Sequence, residues 1–190
     1  MIFEVPDPDF ERRVRTSFAR QGLNATIRAT LRRVAPGQVE IEVPFSSGVS
    51  QQHDFFHGGV MGAIGDSACG YAAMTLTLPS SEVLTIEYKV NFLSPGRGEL
   101  LIARGRVTKP GRTVTVCTGD VFAVSHGQEK LVATMLVTIM TVGGQRDTSP
   151  TSGMSRIRAT TTRGQSTSPR WCPCRRLRAI RRRLGAVPPR

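Results

Sequence analysis

Apolar positions change their period several times along this chain, and each change marks an element. Phe10, Val14 and Phe18 recur at helical spacing behind Asp7-Pro8, a pair suited to an N-cap and a first helical position. They predict a short amphipathic helix closed by Gly22, with Leu23 just beyond as a further apolar position. Two alternating runs, residues 25–34 and 39–45, are joined by Ala35-Pro36-Gly37 and predict a hairpin. After a polar loop, the residues from Gly58 to about Thr77 are small or apolar, which predicts a buried helix. Four β-rich runs follow at 84–93, 100–109, 114–124 and 130–141, separated by turns rich in Ser, Pro, Gly and Arg. Strands on both sides of one apolar helix predict an α+β fold in which a single antiparallel sheet wraps that helix.

Patterning stops at Gly143-Gly144-Gln145, and charge divides the chain at the same place. Residues 1–145 hold 14 of the 26 Lys and Arg and 13 of the 14 acids, a net charge of +1. Residues 146–190 hold 12 Arg, no Lys and Asp147, a net charge of +11. The organisation expected is therefore one domain over 1–145 and an Arg-rich tail over 146–190 with the composition of a disordered segment. The near-neutral body gives no argument for a nucleic-acid-binding fold. In the tail, Leu177, Ile180 and Leu184 would share one face of a helix, a basic amphipathic patch open to nucleic acid or an anionic membrane. The bland alternative is a solvated extension.

Met1-Ile2-Phe3-Glu4 opens the chain without a basic and apolar leader pattern, and no apolar run reaches a bilayer-spanning length, so a cytoplasmic location is the default expectation. Cys69 and Cys117 fall in apolar helix and strand patterns and are expected to be reduced core thiols. Cys172 and Cys174 have a spacing unlike the usual metal-ligand pairs, and no metal or cofactor is expected.

The densest chemistry lies between Gln51 and Asp66. His57-Gly58-Gly59 opens the buried helix, and Asp66 is the only charged side chain from Gly58 to Thr77. A carboxylate in such a place is costly to bury without partners. Lying eight residues after Gly58, it is expected two turns along, leaning back over the helix start, where unpaired amides hold an anionic oxygen. That arrangement suits attack on a polarised carbonyl.

Together with Thr85-Ile86-Glu87-Tyr88-Lys89-Val90-Asn91-Phe92-Leu93-Ser94-Pro95, these residues resemble hotdog-fold acyl-CoA thioesterases of the PaaI type over roughly residues 10–142. The resemblance implies a five- or six-stranded antiparallel sheet around a long helix. It also implies a homodimer with a continuous sheet or a homotetramer, and an active site at the dimer interface. Gly58 falls where the family polarises the thioester carbonyl with a backbone amide, and Asp66 where it carries its catalytic carboxylate, as nucleophile or as general base. Gln51 falls where relatives position the water or the thioester, and Thr85 where some orient the attacking water.

For substrate binding, His57 is expected to hold its loop by hydrogen bonds beside Gly59. Phe56, with Phe55, either lines an acyl or pantetheine tunnel or packs in the core. The turn from Lys109 to Arg112, with Arg97 and Arg104 nearby in sequence, either meets the phosphates of coenzyme A or is a solvated hairpin tip. The function implied is hydrolysis of acyl- or aryl-CoA to the acid and free coenzyme A. The alternative is a non-catalytic acyl-CoA-binding hotdog module, against which Asp66 argues. The tail has no counterpart in the family.

Overall fold

The computed structural model describes residues 3–143. The boundary near residue 145 and the expectations for residues 146–190, among them Cys172, Cys174 and the Leu177, Ile180 and Leu184 stripe, lie outside the described residues. The elements run α1 (Phe10–Arg20), α2 (Gly22–Thr26), β1 (Thr30–Ala35), β2 (Gln38–Pro44), a 3-10 turn (Ser47–Val49), α3 (Gly58–Met74), β3 (Ser81–Phe92), β4 (Leu100–Lys109), β5 (Val114–Ser125) and β6 (Gln128–Gly143). The six strands form one sheet in the order β1-β2-β4-β5-β6-β3, antiparallel at every pairing. α3 is packed against it, which is the hotdog architecture.

α3 is apolar all round because it is covered on most sides, and ten of its 17 residues are buried. Inward-facing Val39, Ile41, Val43, Leu101, Ala103, Val121, Val137 and Ile139 join its Ile64, Ala68, Ala72 and Met74 in one core. Each large aliphatic side chain so buried contributes about 1.5–3 kcal/mol. The helix can lie this close to the sheet because the sheet supplies glycines beneath it. A Cβ on Gly105 would overlap the backbone of Ala68, and one on Gly119 would stand 2.9 Å from the Cys69 sulfur. Cys69 and Cys117 are buried free thiols in this layer, and burial pushes the Cys117 thiol up to about 12.

The chain before the sheet differs from its expected form. α1 begins at Phe10 with Asp9 at its cap, and Asp7 turns inward instead: its Oδ1 accepts from Asp9 N at 2.9 Å, and its Oδ2 accepts from Arg13 Nε at 2.8 Å. The Arg13 guanidinium then donates to the carbonyls of Ser81, Met74 and Thr77, at 3.1, 3.0 and 3.0 Å. It thereby ties α1 to the end of α3 and the start of β3. Gly22 opens α2 rather than closing a helix, Leu23 is exposed, and the first strand starts at Thr30, five residues later than its alternation suggested. Local polar and apolar alternation over residues 25–29 is compatible with a single helical turn, and packing decided for the turn.

The outer face of the sheet is occupied by ion pairs. Arg104 meets Glu129 at 2.6 and 2.8 Å and Glu40 at 3.4 Å, Arg32 pairs with Glu42, and Arg106 meets Asp120 at 2.7 Å. The β3 edge is the opposite: Leu84, Ile86, Tyr88, Phe92 and Leu93 are each about half exposed along a strand whose outer backbone edge has no neighbour among the described residues.

Candidate active site

The loop before α3 is folded on itself by backbone bonds. Gln51 N donates to Phe55 O at 2.8 Å, Asp54 N to Gln51 O at 3.2 Å, and His57 N to Val49 O at 2.9 Å. Asp54 takes a left-handed φ of 57°, which a short polar side chain tolerates in a tight turn. Gln51 Oε1 accepts from His53 N at 2.6 Å, so its amide nitrogen is the group left to donate outward.

His57 is the N-cap of α3. Its Nδ1 accepts from Gly59 N at 2.9 Å, which requires a neutral ring with its proton on Nε2. Val60 N and Met61 N both donate to His57 O, at 3.0 and 3.2 Å. Of the first four amides of the helix, three are therefore occupied. Gly58 N–H alone has no acceptor among the described residues, and it sits where the helix dipole favours negative charge. It opens into a cleft of about 480 Å³ lined by Gln51, Phe55, Phe56, Met61, Phe92 and the strand end from Leu93 to Gly96. The Phe92 ring lies over the helix start, and a Cβ on Gly58 would meet it at 3.2 Å.

Asp66 is two turns further on and faces a different cleft, of about 200 Å³, bounded by Ser17 of α1 and Gln21 just after it, Tyr71 and Met74 of α3, and Glu82 and Thr85 of β3. Its Oδ1 accepts from Thr85 Oγ1 at 2.7 Å. Burial raises the Asp66 pKa above the ordinary carboxylate value, and the Thr85 hydrogen bond opposes part of that rise. Tyr71 is buried with its hydroxyl unpartnered. Thr85 reaches Asp66 because of a β-bulge. The register between β3 and β6 shifts between Thr85 and Glu87, so Thr85 before the bulge and Tyr88 and Phe92 after it all turn towards α3.

The structure therefore brings Gly58 and Gln51 together, and Asp66 and Thr85 together, but not the two pairs. Eight residues of α-helix separate Gly58 from Asp66 by about 12 Å along the axis, too far for both to act on one carbonyl from the same chain. The lean over the helix start expected from sequence is not what the folded chain shows. Gly59 and His57 are exposed at the helix start, while Phe56 is buried and packs edge-on against Phe45 at 5.1 Å between ring centres. Lys109 and Arg112 are exposed on the β4–β5 turn. That turn is at the far end of β4 from the Gly58 cleft, about 30 Å away along the strand. Sequence reasoning missed Phe92 and Tyr71, whose facing depends on the bulge and on α1. No group of His, Cys, Asp and Glu among the described residues could hold a metal ion, and no helix among them is long and apolar enough to cross a membrane.

Known proteins share this fold. The family model described as the thioesterase superfamily matches residues 53–130, the stretch from the loop before α3 to β6. The crystal structure of a thioesterase family protein from Silicibacter pomeroyi is 45% identical, superposes with a TM-score of 0.70, and is matched over 71% of this chain and 99% of its own. The PaaI protein of E. coli, from the phenylacetic acid degradation operon, has a TM-score of 0.64 at 18% identity, over 72% of this chain and 95% of its own, and so shares the fold. An esterase-like protein of Saccharolobus solfataricus is 31% identical over 80 residues, and the match spans 42% of this chain and 56% of that protein. With its β-bulged edge strand, its capped apolar helix and this near-complete match to the Silicibacter protein, the chain belongs to the thioesterase superfamily.

Proposed function

We propose that the protein hydrolyses acyl- or aryl-CoA thioesters, and that each active site is shared between two copies of the chain. The observation that carries this reading is the Gly58 amide, the single unoccupied N–H at the start of α3, opening into the larger cleft. It can donate to a thioester oxygen as negative charge develops there. The carboxylate that such a reaction needs comes from the partner subunit's Asp66. For this, two β3 edges would pair antiparallel about a centre between Tyr88 and Lys89, which would set Thr85 of one copy opposite Phe92 of the other. That brings the carboxylate cleft of one chain to the oxyanion cleft of its partner. The same pairing covers the apolar side chains of the β3 edge and extends the sheet through both copies.

In this site a water oxygen attacks the carbonyl carbon and gives its proton to Asp66, while the carbonyl oxygen becomes an oxyanion held by Gly58 N–H. Collapse reforms the C=O bond and breaks the C–S bond, and the thiolate leaves and takes a proton. A burial-raised pKa makes Asp66 a stronger base than a solvated carboxylate, and Thr85 orients it. Direct attack by Asp66 would instead give an acyl anhydride. Single-turnover hydrolysis in ¹⁸O-water places the label in Asp66 only if the anhydride forms and water opens it at the Asp66 carbonyl, so a labelled Asp66 establishes direct attack, and trapping of an acyl group on Asp66 covers opening at the acyl carbonyl. Thiol release from a panel of acyl- and aryl-CoA esters tests the function itself, and no release from any of them, with protein shown to be folded, overturns it.

A further inference from the structure

Two arginines in this fold are seated on phenylalanine rings. Arg104 lies over Phe122 at 4.7 Å, and Arg97 lies over Phe55 at 4.9 Å. The first is neutralised, since Glu129 and Glu40 both bind its guanidinium. The second has no carboxylate partner among the described residues. Its ring partner Phe55 and its chain neighbours Pro95 and Gly96 all line the Gly58 cleft, so Arg97 is an exposed, unneutralised cation held at the rim of the site. Arg97 N also donates to Pro95 O at 3.0 Å, and Phe56 N donates to Gly96 O at 2.8 Å, which fixes the backbone of that rim against the loop before α3.

We infer that Arg97, oriented by Phe55, is the group that holds a phosphate of the coenzyme A portion of the substrate; this rests on the thioesterase function proposed above. With the thioester at Gly58 and the pantetheine arm along the cleft, the phosphates of a bound substrate come to its rim. An arginine is suited to them there, because its planar fork donates two parallel hydrogen bonds to phosphate oxygens. The Phe55 ring lowers the conformational freedom that the side chain must give up on binding, and it leaves the guanidinium edge free to donate. Lys109 and Arg112 of the same chain stand at the other end of β4 and do not share this rim.

The test uses one acyl group carried on coenzyme A, on dephospho-coenzyme A and on pantetheine. Arg97→Ala is expected to raise KM for the coenzyme A ester by about tenfold, with kcat little changed, the lower end of what a charge-assisted hydrogen bond contributes. The pantetheine ester, which has no phosphate, should be hydrolysed with the same kcat/KM by both proteins, and this also shows that the variant is folded. If the effect persists on the dephospho ester, the pyrophosphate is the ligand; if it vanishes there, the 3′-phosphate is. Arg97→Lys should recover part of the loss, and Phe55→Leu should raise KM for the coenzyme A ester by a smaller factor. Added salt should raise KM for the coenzyme A ester in the wild type more than in Arg97→Ala. An unchanged KM for the coenzyme A ester in Arg97→Ala, or an equal loss on the pantetheine ester, overturns the assignment while leaving the thioesterase reading intact. A wild-type protein that releases no thiol from any coenzyme A ester overturns both.

Discussion

The two clefts along α3 solve the same problem, placing a reactive polar group beside an apolar helix, by opposite means. At the helix start the group is a backbone amide; it needs no desolvated charge, because His57 and the turn satisfy its neighbours and leave Gly58 N–H open. Two turns on, the group is a carboxylate, partly buried and destabilised in its ionised form, with Thr85 as its hydrogen-bond donor. The first cleft can bind and polarise but has no base. The second has a carboxylate but no free helix-terminal amide. In the function proposed above neither works alone, and the open β3 edge is where two copies would combine them.

The sharpest test of this division is Asp66→Asn. It keeps the shape and the Thr85 hydrogen bond and removes the base or nucleophile, so turnover should fall by at least about 100-fold with the oligomer intact. The sign of the stability change is also fixed. Burial raises the folded-state pKa of Asp66 above its unfolded value, so ionisation weakens the fold as pH rises between those two values, and the deficit persists above them. Asp66→Asn should therefore raise Tm at neutral pH, measured by calorimetry. A lower Tm would mean that the ionised carboxylate is stabilised by the fold.

Next in size is complementation between the clefts. Gly58→Val should be nearly inactive, since its side chain fills the space below the Phe92 ring where the thioester oxygen must sit. Refolding it together with Asp66→Asn should restore activity to about a quarter of wild type, because random pairing makes half the dimers hybrid and gives each hybrid one intact site. No recovery in the mixture would place both functional groups in one chain and refute the shared site.

A smaller effect is expected at the partner of the base. Thr85→Val removes the hydrogen bond that opposes the rise in the Asp66 pKa, so the acid limb of the kcat profile should move to higher pH, with a loss of about tenfold near that limb. An unmoved limb would show that Thr85 does not act on Asp66. The smallest change is expected from removing residues 146–190. This deletes +11 of charge and little patterned apolar surface, so Tm and thiol release should stay within error of the full chain. Loss of either would mean that the tail belongs to the folded unit.

Much of the fold is legible in the sequence because its signals are local and agree with one another. The apolar run after His57-Gly58-Gly59 can only be a covered helix, and the later alternating runs with their Pro-Gly turns can only be antiparallel strands. The candidate groups at Gly58, Asp66, Gln51 and Thr85 are equally visible, since a lone acid in an apolar helix and a glycine at its start stand out from their neighbours. What the tertiary structure alone decided is which of these groups meet. The strand order that carries β3 to the far edge, the bulge at Ile86 that lets Thr85, Tyr88 and Phe92 all face the helix, and the bonds from Arg13 to Met74, Thr77 and Ser81 depend on residues far apart in the chain. Periodicity reports which face of an element is buried, but not which element buries it. The separation of the amide from the carboxylate, and the open edge of β3, follow from that second fact.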